Sequence, residues 1–158
     1  MTIREAFVAS EGKKILAMDY SQIELRLMAH YSKDQIMLDS FKNNEDIHKR
    51  TASEVFSVEM ENVTDEMRRR AKTINFGLLY GMSAFGLSNQ LSVSRAEAEE
   101  FLLNYFAKYS SIKVFMKDVV EQAKKDKYVS TLYGRKIHVP NIESPNYMLR
   151  QASERAAV

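Results

Sequence analysis

The 158-residue chain is predicted to be mainly α with a small β component, an α+β fold. Three observations predict it. Glycine and proline are sparse, five and two, so long helices are not interrupted. Apolar residues recur at helical spacing from about residue 21 to residue 126. The period then shortens to two around a Tyr-Gly-Arg turn at 133–135.

Taken in order, Ile15-Leu16-Ala17-Met18 follows a Gly12-Lys13-Lys14 turn, ends at Asp19 and is expected to be a buried strand. A helix is expected over about Ser21–Tyr31, with Ile23, Leu27 and Ala29-His30-Tyr31 on one side, and a short one over Ile36–Phe41. Asp46 can cap the next, which runs through Ala52, Val55 and Phe56. Thr64, followed by Asp65 and Glu66, is the best helix start in the chain, for a helix reaching about Tyr80 near Gly81. Further helices are expected over about Ala84–Leu91, Ser94–Tyr109 and Ile112–Asp126. Tyr128–Leu132 and Lys136–Val139 form a hairpin closed by Pro140, and a last helix begins near Asn146.

Composition excludes several classes. There is no cysteine, hence no disulfide framework, thiolate nucleophile or thiolate-ligated metal. Charged residues make up 28% and apolar residues 45%, which suits a chain with a packed core and not a disordered tail. No apolar run reaches the roughly 20 residues of a membrane span, and the N-terminus lacks the apolar stretch of a signal peptide. A soluble, cytoplasmic chain with no membrane partner is expected. The net charge of +2 hides an asymmetry: residues 1–64 carry −3 and residues 65–158 carry +5. The densest basic cluster is Arg68, Arg69, Arg70 and Lys72. Such a cluster suits a polyanion, and equally a solvated helix face.

The Thr64–Tyr80 helix has two stripes. On a helical wheel Arg68, Lys72, Phe76 and Tyr80 fall within roughly 120°, and Met67, Ala71, Ile74 and Leu78 form an apolar stripe on the other side. The first stripe is about 18 Å long, comparable with an extended nucleoside triphosphate. Its cations lie toward the positive end of the helix, where phosphate binds well, and its aromatics can pack on sugar and base. The alternative is that the aromatics are core and the cations snorkel over them. Asp19, at a strand tip, either ligates a hard cation such as Mg²⁺ or caps the next helix. Glu24 is either a site residue or plain surface.

These residues carry a resemblance. DYSQIELRLMAH (Asp19–His30) resembles motif A, and RRRAKTINFGLLYGMSAFGLSNQL (Arg68–Leu91) resembles motif B, of DNA polymerase family A, the DNA polymerase I type. DIHKRTASEVF (Asp46–Phe56) and TLYGRKIHVPNIESPN with RQASERAAV (Thr131–Val158) resemble further blocks of that family, so the resemblance covers essentially the whole chain. It implies a palm segment over 1–32, fingers over 33–127 with the motif B helix at 64–80, and a hairpin and helix returning to the palm over 128–158. It implies Asp19 as a ligand of two catalytic Mg²⁺ ions, with the Tyr20 carbonyl beside it. Arg68 and Lys72 would bind the triphosphate, Lys72 also as a catalytic residue beside Asp19, and His48 would bind a phosphate or the sugar. Phe76 would lie under the sugar, and Glu24 would exclude a ribose 2′-OH with Tyr80 stacked nearby. Gln22, counted among the dNTP contacts, and Arg155 would lie near the primer–template end and its minor groove, and Gly81 with Tyr80 beside the DNA.

The implied reaction is template-directed transfer of dNMP from a dNTP to a primer 3′-OH in replication or repair. The implied partners are primer–template DNA, dNTPs and the rest of a monomeric polymerase chain. The family's second metal-binding aspartate lies in a His-Asp-Glu motif, and no such tripeptide occurs here. Met1 falls inside a family block. The chain is therefore expected to be a fragment whose own activity is undetectable, with a non-catalytic nucleotide- and DNA-binding remnant as the alternative. Two departures, Ser110-Ser111 where Pro-Gly is common and Tyr133 before Gly134, do not touch the implied chemistry.

Overall fold

A computed structural model describes residues 3–158. Among them a 3₁₀ turn (Ile3–Ala6) precedes eight helices and one hairpin. The order is α1 (Ile23–Ser32), α2 (Gln35–Lys42), α3 (Ile47–Phe56), a 3₁₀ turn (Met60–Asn62), α4 (Asp65–Leu79), α5 (Ala84–Leu91), α6 (Arg95–Lys108), α7 (Ser110–Asp126), β1 (Tyr128–Ser130), β2 (Lys136–His138) and α8 (Tyr147–Ala157). The mainly α class with a small β part is what the sequence predicts.

The helices start where side-chain oxygens can accept from orphan amides. Asp34, Asp46, Thr64, Ser83, Ser94 and Asn146 each accept at the N-terminus of the helix that follows. Ser94 and Glu97 form a full capping box. α4 ends in a Schellman turn: the Met82 amide donates to the Gly77 carbonyl and the Gly81 amide to the Leu78 carbonyl. Gly81 takes φ +65° there, which a residue without Cβ does at little cost.

The main core draws Leu25, Met28, Met37, Ile47, Val55, Ile74, Leu78, Leu87, Tyr105, Tyr109 and Ile112 from α1 to α7. α4 packs chiefly on α3. A second, smaller cluster of Ala123, Val139, Ile142 and Ala157 seats the hairpin and α8 against α7. β1 and β2 pair antiparallel, Val129 opposite Ile137.

Two expectations are corrected. Residues 15–18 form no strand: Ile15, Leu16 and Met18 are exposed. A strand needs hydrogen-bonded neighbours, and the one sheet among the described residues is the hairpin. In α1 the buried residues are Leu25, Met28, Ala29 and Ser32, while Ile23, Leu27, His30 and Tyr31 are exposed. The helix carries apolar residues on two sides, and tertiary packing covers the one through Leu25. The hairpin strands also stop at three residues each, short of the expected five and four; β1 ends where Thr131 enters the turn closed by the Gly134 amide.

Candidate functional site

The two stripes of α4 separate physically. Ala71, Ile74 and Leu78 are buried, with Met67 half-buried at the end of the same stripe. On the other side Arg68 and Phe76 are half-buried, and Lys72 and Tyr80 are exposed. The expected stripe of two cations followed by two aromatics is thus accessible along α4.

α3 supplies its neighbours. Asp46 caps α3 by accepting from the His48 and Lys49 amides through Oδ1, at 3.0 and 3.1 Å. Its Oδ2 accepts from Arg68 Nε at 2.7 Å. One carboxylate therefore starts α3 and ties it to α4. The ion pair engages only the Nε edge of Arg68, so the two Nη groups, the fork that suits a phosphate, have no partner among the described residues. The basic cluster divides accordingly. Arg69 and Arg70 both pair with Glu66 on the outer face of α4, and Lys72 has no ion pair among the described residues.

His48 sits between these groups, 3% exposed. Its ring lies 5.8 Å from that of Phe76, and its Nδ1 lies within hydrogen-bond distance of Asn75 Nδ2, at 3.1 Å. Burial disfavours the imidazolium; the nearby Arg68 and Lys72 act the same way, Asp46 opposes them, and the His48 pKa stays below its ordinary 6.5. For Asp46, partial burial pushes the carboxyl up. The hydrogen bonds from Arg68 and from the Lys49 and His48 amides, with the Arg68 charge, outweigh it and hold the group below 3.8.

Behind the site lies a buried polar chain that periodicity alone does not reveal. Asn75 Nδ2 also donates to Thr51 Oγ1 at 3.1 Å, and Thr51 Oγ1 lies 3.3 Å from Tyr109 Oη. Burial pushes the Tyr109 hydroxyl up to about 12, against the opposing Thr51 hydrogen bond. The signal that finds Asn75 is its position: four residues after Ala71 and three before Leu78, it is a polar residue on the buried stripe.

The structure also brings Gly81 and Arg155 together. A Cβ on Gly81 would meet Arg155 Cγ at 2.6 Å, so the Arg155 stem lies across the end of α4. Beside them opens a cleft of about 330 Å³ that Lys117, Gln151 and Glu154 also line.

The residues before α1 are arranged differently. Asp19, Tyr20 and Glu24 are exposed, and Gln22 is half-buried. Asp19 does not cap α1: the N-cap is Gln22, in the left-handed region at φ 55°, with no side-chain cap bond. No side-chain hydrogen bond or ion pair links these four residues to α4 among the described residues. Nor do the described residues hold any group of three or more His, Asp or Glu able to ligate a metal. Asp19 offers a hard carboxylate oxygen of the right chemistry for Mg²⁺, but as one donor it fits only part of a site.

The family profile described as DNA polymerase family A matches residues 1–158. The chain is 51% identical over 156 residues to DNA polymerase I of Pseudomonas aeruginosa, covering 99% of this chain and 17% of the relative. It is 45% identical over 157 residues to DNA polymerase I of Geobacillus stearothermophilus, covering 99% and 18%. Among solved structures, the polymerase domain of Pol1 from M. smegmatis, in complex with DNA primer–template and dNTP, superposes with a TM-score of 0.84 at 46% identity, over 88% of this chain and 24% of that one. The chain thus spans about a sixth of the length of these curated relatives.

Proposed function

This chain belongs to DNA polymerase family A, and on that premise we propose that it is the dNTP-selecting part of a template-directed DNA polymerase acting in replication or repair. The observation that carries the reading is the accessible stripe Arg68–Lys72–Phe76–Tyr80 on α4, flanked by His48 of α3. Arg68 offers its free Nη fork and Lys72 a point charge to triphosphate oxygens. His48 adds a further donor, Phe76 packs under the sugar, and Tyr80 stacks beside the nascent pair. Glu24 limits the space at the sugar 2′ position. Gln22, Gly81 and Arg155 face primer–template DNA. Residues 33–127 act as fingers, and residues 1–32 and 128–158 as palm.

In this reading the fingers hold the triphosphate still and offset its charge. That is where the protein contributes to phosphoryl transfer, since the bond-making involves the primer 3′-OH and the α-phosphorus alone. Asp19, with the Tyr20 carbonyl, would hold part of a divalent-cation site, the remaining ligands coming from the triphosphate and from outside these residues. Such an ion, when bound, supplies Lewis-acid stabilisation of the phosphate oxygens. Because one carboxylate is only part of that site, the isolated chain is a binding module, and primer extension by it is expected to be undetectable.

Titration of the chain with dATP, followed by calorimetry, tests the reading. Saturable binding is expected, weakened in Lys72→Ala by about 1.5–3 kcal/mol, the worth of a hydrogen bond to a charged group. Absence of binding, or equal affinity in Lys72→Ala, removes the α4 stripe as a triphosphate site.

A further inference from the structure

If His48 meets a phosphate oxygen, the proton position on its ring decides whether the contact attracts or repels. The surroundings of the ring bear on that directly. His48 Nδ1 lies 3.1 Å from Nδ2 of Asn75, which is fully buried on α4 one position before Phe76. The same Nδ2 lies 3.1 Å from Thr51 Oγ1, and Asn75 Oδ1 lies 3.3 Å from that hydroxyl. An amide nitrogen has two protons and no acceptor capacity. In this orientation each proton has a buried acceptor, His48 Nδ1 and Thr51 Oγ1. The Thr51 hydroxyl proton remains for Asn75 Oδ1 or Tyr109 Oη. The reversed amide would leave its nitrogen only Thr51, at the longer distance, and one N–H without an acceptor in a fully buried place, which is costly.

We propose that Asn75 is a positioning residue that holds His48 in the neutral tautomer protonated on Nε2, so that the ring offers an N–H donor to an anionic oxygen. The proposal deepens the reading of His48 as a phosphate contact and rests on it for the ligand. An Nδ1 that accepts from an amide carries no proton, so in a neutral ring the proton is on Nε2. Burial and the neighbouring Arg68 and Lys72 charges favour the neutral ring, and only Asp46 opposes them. The Phe76 ring packs against the imidazole, 5.8 Å between centroids. Thr51 and Tyr109 anchor the amide from α3 and from the corner between α6 and α7. The result is a donor of fixed polarity beside two cations, without a third positive charge to repel them.

The test is nitrogen-detected imidazole NMR on the intact 158-residue chain at neutral pH. His48 is expected to show an unprotonated Nδ1 and a protonated Nε2; the opposite pattern, or a charged ring, overturns the proposal. Asn75→Asp puts an acceptor where the donor stood. It is expected to move the proton to Nδ1, which leaves Nε2 an acceptor, and to weaken dATP binding about tenfold, the loss of one charge-assisted hydrogen bond. An unchanged tautomer in that variant also overturns the proposal. If the variant does not fold, the wild-type spectrum still decides. Because the tautomer is read without ligand, its failure is separate from a failure of dATP or tripolyphosphate to shift the His48 nitrogens, which would instead remove His48 from the phosphate site.

Discussion

Leu16 and Met18, just before α1, are 79% and 86% exposed, whereas Ala71 and Ile74 of α4 are fully buried, although both stretches are rich in apolar residues. α4 makes its backbone hydrogen bonds within itself, and needs only one covered stripe, which α3 and its neighbours provide. Residues 15–18 would make theirs to adjacent strands, and the described residues hold none beside them. A helix can thus be complete in a segment where a strand cannot. The difference extends to the candidate residues: Arg68, His48 and Phe76 on α3 and α4 are held by hydrogen bonds or ring contacts, while Asp19 and Tyr20 stand on an unsupported stretch.

The sharpest way to break this comparison is a pair of truncations. Ile74→Ala removes a fully buried side chain, and denaturant titration is expected to show a loss of about 2–5 kcal/mol. Leu16→Ala is expected to change stability by no more than about 0.5 kcal/mol. Similar losses for the two would mean that residues 15–18 are packed in solution and that the contrast is wrong.

The same contrast explains what the sequence does and does not disclose. Thr64, Ser94, Asp46 and Asn146 announce their helices because an N-cap is a local contact, made within three residues. The stripe Arg68–Lys72–Phe76–Tyr80 is legible for the same reason: spacing on one helix places it. The covered face of α1 is not legible, because Ile23 and Leu27 read as apolar as Leu25 and Met28 until a neighbour covers one set. Nor are the pairs that organise the site. Asp46 and Arg68 are 22 residues apart, and His48 and Asn75 are 27 apart. Both pairs depend on how α3 lies on α4. Asp46 is visible in the sequence as a cap and only in the fold as the partner of Arg68.

That double role gives the next effect in size. Asp46→Ala removes the α3 cap and the tie to α4 together, and is expected to cost about 1–2 kcal/mol. Asp46→Asn keeps a capping oxygen and loses the ion pair, so it is expected to cost less. Acid separates the two groups of this corner. The His48 pKa is lower folded than unfolded, so the unfolded chain binds the proton first, and stability falls as pH drops below about 6.5. The Asp46 pKa is also lower folded. Its contribution is present above 3.8 and is lost as pH falls further, through the folded value. Denaturation midpoints from pH 8 to pH 3 are expected to decline in two stages. The lower stage should shrink in Asp46→Asn, and a decline of undiminished size there would show that other carboxylates account for it.

The smallest effect is expected beside the largest concentration of charge. Arg69 and Arg70 share Glu66 on the outer face of α4, and the Arg69 side chain is 74% exposed. Such pairs are screened by water and salt and contribute little. Arg69→Ala is expected to shift stability by less than about 0.5 kcal/mol and to leave dATP affinity where it was. Lys72, one turn along, has no competing carboxylate among the described residues, and its removal should reduce affinity without reducing stability. A basic cluster read as one polyanion site would have both substitutions weaken dATP alike. Titrating the two variants side by side decides between a patch that attracts by its total charge and one in which only a cation without a carboxylate partner counts.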